Sequence, residues 1–179
     1  MATEAGTTSA DPQDTTDVRW LSAEQQRDWR AFRDGTVLLL DVLGHDLEER
    51  TGLSLHEYEV MVRLSEAPGR TLRMSQLATD IAHSRSRLTH TISRMEAAGL
   101  VRRVACSDDA RGVNAVLTDE GWARLVAAAP RHVASVRERL VDVLSAEQLA
   151  ALGDAMDAVR SHLRGECSAE ESTEIRLPH

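Results

Sequence analysis

Six side chains within SRSRLTHTISRMEAAGL (residues 84–100) have the types and spacing to do chemistry together: Ser86, Arg87, Thr89, His90, Ser93 and Arg94. Wrapped as a helix at about 100° per residue, Ile92 and Met95 fall within about 40° of Leu88 and define a buried stripe. The six, with Ala97, then occupy the opposite half. That face offers hydroxyls, an imidazole and guanidiniums and no carboxylate, since Glu96 projects sideways. Such groups donate to phosphates and base edges, and a guanidinium can take guanine through two parallel bonds. The bland alternative is a solvated helix face, which ordinarily mixes both signs of charge. The pattern points to DNA reading.

The loop CSDDARG, residues 106–112, adds Arg111 at its tip, where a wing could reach an adjacent minor groove whose negative potential attracts arginine. Asp109 could pair with Arg111 and hold the loop's shape; the alternative is that this pair is all Arg111 does. Between residues 69 and 113, eight arginines (70, 73, 85, 87, 94, 102, 103 and 111) stand against Asp80, Glu96, Asp108 and Asp109, in a chain of net charge −8. A basic segment on an acidic body is a local footprint for a polyanion.

Helices and turns must position these groups. Capping boxes at Ser22/Gln25, Ser54/Glu57 and Ser145/Gln148 mark helix starts. A first long helix is predicted over 22–49, with Trp29, Phe32, Thr36, Leu39, Leu40, Leu43 and Leu47 on one stripe and Gly52 as its stop. A second follows Ser54, with Leu55, Tyr58, Met61, Val62 and Leu64 inward. A short third covers 75–82, and a fourth runs from Ser84 to a C-terminal glycine, Gly99. LVRRVA and VNAVLT read as a two-stranded hairpin. A fifth helix opens at Asp119 and reaches Leu144, with Leu125, Val126, Ala129, Val133, Val136, Leu140 and Val143 on one side and a kink or break at Pro130. The last helix carries Leu149, Leu152, Met156, Val159 and Leu163 at 3-4-3-4 spacing, a seam that suits packing on another helix. That partner is either its own domain or a second copy. A short helix, a turn, a second helix and a hairpin, in that order, make a winged helix-turn-helix. The fold class is mainly α with a small β-hairpin wing.

Composition sets the outer bounds. The chain's 179 residues suit one domain, and 3% aromatics against 42% apolar residues favours packed helices over a β-sandwich. No apolar run approaches the roughly 18–20 residues of a membrane span. The opening MATEAGTTSADPQDTTD has neither the basic start nor the apolar core of a secretory signal. Cys106 and Cys167 form no CxxC pattern or disulfide framework. The expectation is a cytoplasmic protein with no membrane association. All 21 basic residues are Arg, which a GC-rich genome explains as readily as chemistry does.

SQLA, SRSRLTHTISRMEAAGLVRR and DDARGVNAVLTDEG together resemble the multiple antibiotic resistance regulator (MarR) family of winged-helix repressors. The likeness extends over residues 22–163 and is most specific in the wing, from Asp109 to Gly121. It implies a homodimer on a double-stranded DNA operator, with two recognition helices in successive major grooves. Residues 84–94, hence also Ser84 and Arg85, would meet DNA, and Arg111 would enter the minor groove. It implies dimerisation helices at 18–50 and 119–164, with Leu149, Leu152, Met156, Val159 and Leu163 in the interface. The winged lobe is 54–118, inside a MarR-type domain of 18–164. Residues 1–17 are read as a disordered acidic N-terminal tail and 165–179 as an acidic C-terminal tail. Ala110 stands where the family often has a basic residue.

Many such relatives release DNA on binding a small phenolic or anionic effector. Trp29, Phe32, His45 and Tyr58 could line such a pocket but are more simply core or surface, and no ligand site is assigned. No cofactor is implied. The histidines are too scattered to predict a metal site, and neither cysteine lies where an oxidant sensor would need it, so a redox- or metal-responsive regulator has little support. An enzyme is not expected, because GxSxG, phosphate-loop, HExxH and CxxC motifs are absent from the sequence. A winged adaptor that binds protein instead of DNA remains the rival, opposed by the basic outward helix.

Overall fold

The structure, a computed structural model, describes residues 18–81, 85–106 and 112–173. The elements in chain order are α1 (Ala23–Thr51), α2 (Leu55–Glu66), a 3-10 turn (Pro68–Arg70), β1 (Thr71–Arg73), α3 (Met74–Asp80), α4 (Arg85–Ala97), β2 (Val101–Ala105), β3 (Val113–Leu117), α5 (Asp119–Val136), a π-helical turn (Arg137–Val141) and α6 (Ala146–Thr173). Two compact units divide within α1, between Leu38 and Leu39.

In the first unit, Ser22 and Gln25 exchange their predicted capping bonds at 2.9 and 3.1 Å. The rings of Trp29 and Phe32 lie 6.0 Å apart. Both are exposed in the single chain, at 50% and 39%. Of the stripe predicted for this helix only Leu43 and Leu47, both in the second unit, are buried.

The second unit holds the core. Leu47, Met61, Leu64, Leu77, Leu88, Ile92, Met95, Val60 and Val101 are its largest fully buried side chains. Each contributes about 1.5–3 kcal/mol on removal from water. α2 starts at the Ser54 capping box and buries Tyr58, Val60, Met61 and Leu64, while Leu55 and Val62 sit at the edge of the cluster. Gly99 ends α4 with φ +73°, and the Leu100 amide reaches back to the Met95 carbonyl at 2.9 Å. This left-handed cap turns the chain directly into β2.

The sheet has three antiparallel strands in the order β1-β3-β2, not the two of a simple hairpin. Leu72 pairs with Ala115 and Val101 with Leu117. β1 is only three residues long, too short for alternation to announce it. Its entry turn is braced: Arg70 adopts φ +54°, with its guanidinium 4.5 Å from the Trp122 ring centre and 3.1 Å from the Asp119 carboxylate.

Two other expectations are corrected. α5 does not break at Pro130. A proline removes one amide donor, and the bonds on either side keep the helix continuous; the irregularity falls later, at Arg137–Val141. The part of α5 buried within the single chain is narrow. Val126, Val133 and Val143 are exposed, while Ala128 and Ser135 are buried with Leu125, so small side chains set the packing distance. Finally, α6 runs on through 165–173, a stretch assigned to the tail. Its Ala169 and its glutamates favour helix, and Gly165 alone does not stop it.

Candidate nucleic-acid interface

α4 presents the two faces its sequence demands. Leu88, Ile92 and Met95 are at most 1% exposed, and Thr91 is buried beside them. Ser86, Arg87, Thr89, His90, Ser93 and Arg94 all lie on the exposed side. Arg85 is the first residue of the helix. Ser84, Asp109 and Arg111 lie outside the described residues.

The outward face is tied to its neighbours on both flanks. On one side, Arg103 of β2 donates to the Thr89 carbonyl at 3.1 Å and to the Ser93 hydroxyl. Its own amide donates to Glu96 at 2.9 Å, and the Ser93 hydroxyl donates to the Thr89 carbonyl at 2.9 Å. On the other side, Arg94 meets Glu57 of α2 at 2.8 Å. Burial alone would push the Glu57 carboxyl up, but hydrogen bonds from the Ser54 hydroxyl and amide and the Arg94 guanidinium together hold it below the usual carboxylate range.

Two open depressions flank α4. One, of about 470 Å³, is lined by Ser54, His56, Ser86, Arg87, His90, Thr91 and Arg94. The other, of about 460 Å³, is lined by Arg73, Met74, Ser75, Thr89, Arg103, Gly112 and Val113. The structure therefore brings Ser86, Arg87, His90 and Arg94 together beside the start of α2. It also adds two arginines, Arg73 and Arg103, that the helical pattern did not single out. The only signal for them was the local excess of positive charge. At the base of the wing, the Cys106 amide donates to the Gly112 carbonyl at 2.9 Å, and its thiol lies 3.0 Å from the Asn114 side-chain oxygen.

Other proposed sites are simpler. Leu149, Leu152 and Met156 are half-buried in the single chain, and Val159 and Leu163 are 48% and 54% exposed. Among the described residues no group of three His, Cys, Asp or Glu could hold a metal ion. No described helix is long and apolar enough to cross a membrane.

This architecture has close counterparts. The MarR family model matches residues 53–113. The HTH-type transcriptional regulator PecS of Dickeya dadantii is 30% identical over 128 residues, covering 70% of this chain and 76% of PecS. The chain belongs to the MarR family of transcriptional regulators. Among solved MarR family structures, AbsC from Streptomyces coelicolor is 44% identical with a TM-score of 0.77, covering 83% of this chain and 99% of AbsC. Sco3205 from the same organism, solved in complex with DNA, is 42% identical with a TM-score of 0.78, covering 82% of this chain and 92% of Sco3205. The MarR winged helix is thus this chain's fold, and its family is one of regulators, not enzymes.

Proposed function

We propose that the protein is a homodimeric, sequence-specific repressor that lays α4 of each subunit in successive major grooves of a pseudo-palindromic operator. The observation that carries this reading is the exposed face of α4. Its hydroxyl, imidazole and guanidinium groups stand between two depressions that also gather Arg73 and Arg103. The DNA complex of Sco3205 supports the same use of the fold. In this reading Ser84, Arg85, Ser86, Arg87, Thr89, His90, Ser93 and Arg94 face DNA, while Arg111, shaped by Asp109, enters the minor groove.

Residues 54–118 form the DNA-binding lobe, and 18–50 with 119–164 form the dimerisation helices. Supporting that assignment, Trp29, Phe32, Val37, Leu38 and Leu40 on α1, and Val159 and Leu163 on α6, leave large apolar surfaces in water in the single chain. Burying them between two copies is favourable. Release by a small-molecule effector belongs to the same reading, with no pocket assigned, as does action in the cytoplasm.

Selection of bound duplexes from random DNA tests it. The expected consensus is an inverted repeat with half-site centres one helical turn apart, about 34–36 Å. A consensus with one unrepeated half-site, or no enrichment, overturns it.

A further inference from the structure

Arg94 is not a free cation on the reading face. Its Nη2 lies 2.8 Å from Glu57 Oε1, its Nε donates to the same oxygen at 3.3 Å, and Nη2 also reaches the Ser54 hydroxyl at 3.4 Å. Glu57 is itself fixed. Its other oxygen, Oε2, accepts from the Ser54 amide at 2.9 Å and the Ser54 hydroxyl at 2.7 Å, which closes the capping box of α2. One carboxylate oxygen serves the helix cap and the other serves the arginine.

The geometry of the grip matters. Glu57 takes the side of the guanidinium, the edge made by Nε and Nη2. The end-on edge is made by Nη1 and Nη2, and Nη2 is shared with the Ser54 hydroxyl at 3.4 Å. A two-bond contact to guanine O6 and N7 needs two parallel N–H groups on one edge. The Glu57 side chain is 13% exposed and that of Arg94 58%, so the holder is sheltered and the held group reaches solvent. Ion pairs this exposed add little to stability. Their effect here is on direction and on charge.

We propose that Glu57 is a positioning residue for DNA readout. It orients Arg94 side-on so that the end-on edge addresses a guanine, and it offsets the charge that would otherwise draw Arg94 to any phosphate. This rests on α4 being the major-groove helix. Specificity grows from both effects, because correct contacts gain preorganisation and sequence-independent attraction is reduced.

Glu57→Gln separates this role from a structural one, because glutamine at the third helical position still completes a capping box. Binding isotherms on the selected operator and on a scrambled duplex, across a salt series, read the effect for Glu57→Gln, Arg94→Ala and the double variant. With helix content and melting temperature retained, Glu57→Gln is expected to weaken operator binding and tighten scrambled binding. The cognate-to-scrambled ratio then falls about tenfold. The salt slope on scrambled DNA steepens by about one unit per subunit as the released guanidinium takes a phosphate. In the Arg94→Ala background, Glu57→Gln changes neither quantity. Arg94→Lys gives an independent arm that leaves the capping box untouched: it keeps the charge without a planar edge, and lowers the ratio while preserving scrambled affinity.

Equal tightening on both duplexes would make Glu57 a simple mask and overturn the proposal. So would an unchanged ratio, or a loss that persists without Arg94. If Arg94→Ala lowers the ratio and Glu57→Gln does not, only the positioning role fails. If Arg94→Ala itself leaves the ratio unchanged, Arg94 is not a reader and the positioning role falls, while the selected operator decides the proposed function separately.

Discussion

The hydroxyl of Ser135 on α5 donates a 2.6 Å hydrogen bond to the carboxylate of Asp46 on α1. Arg139, in the π-helical turn, approaches the same oxygen at 3.3 Å. The Ser135 bond, against a desolvation effect and helped by Arg139 and Arg50, holds the Asp46 carboxyl below its ordinary value near 3.8. A carboxylate depressed on folding stabilises the protein above its unfolded value and stops doing so as pH falls through the folded one. Melting temperatures should therefore drop between pH 5 and about pH 3 more steeply in the wild type than in Asp46→Asn. Parallel curves would refute the linkage.

His132 loses stability in the same direction, on acidification, for a different reason. Its ring centre lies 4.5 Å from that of Tyr58, its Nδ1 is buried without a hydrogen-bond partner among the described residues, and burial lowers its pKa from 6.5. The unfolded chain then binds the proton more readily, so stability is intact above about pH 7 and declines as pH falls through 6.5. His132→Phe should flatten that slope in urea titrations at pH 7.5 and 5.5.

Gly121 leaves no room for a side chain. A Cβ there would sit 2.1 Å from the Leu100 carbonyl oxygen and 2.7 Å from Leu117. Gly121→Ala should cost about 3 kcal/mol or more by forcing α5 off the β2 entry. At Gly35 a methyl group would meet nothing within 4 Å, and alanine should stabilise the helix by roughly 0.5–1 kcal/mol. Chemical denaturation of the two variants checks the contrast.

Truncation after Leu144 removes α6 and its apolar residues Leu149, Leu152, Met156, Val159 and Leu163. Sedimentation should show monomer or aggregate, and operator binding should disappear. A full-length chain that sediments as monomer at micromolar concentration contradicts the dimer.

Arg94→Ala should cost about 1–3 kcal/mol on the operator and relax preference at one position per half-site. Arg111→Ala should weaken binding to operator and scrambled duplex more evenly and reduce the salt slope by about one unit per subunit. Two identical binding profiles would erase the distinction between a base-reading Arg94 and a groove-anchoring Arg111.

Local patterns were legible in the sequence. The stripe of Leu88, Ile92 and Met95 placed the face of α4 correctly, and Ser22, Ser54 and Ser145 make their expected capping bonds. What escaped was non-local. Glu57 and Arg94 are 37 residues apart, and no periodicity relates them. Arg103 alternates along a strand whose register became known only once β3 lay beside it. β1 offers three residues, TLR, and owes its existence to the edge of β3 more than to its own propensity. On α5 the residues buried with Leu125 are Ala128 and Ser135, small side chains that hydrophobicity alone does not single out.

With β1 on one edge of β3 and β2 on the other, the wing's return strand is bonded along both sides. One neighbour leads straight into α3, and the other is stitched to α4 through Arg103. A torque applied at the wing therefore travels through the sheet to the helix face instead of bending a hairpin at its root. On a duplex, wing and helix then behave as one stamp rather than two jointed fingers, and orienting them costs a single loss of rotational freedom. In the proposed reading, a sequence whose groove widths do not match the spacing of that stamp is refused by shape, even where every base edge is correct.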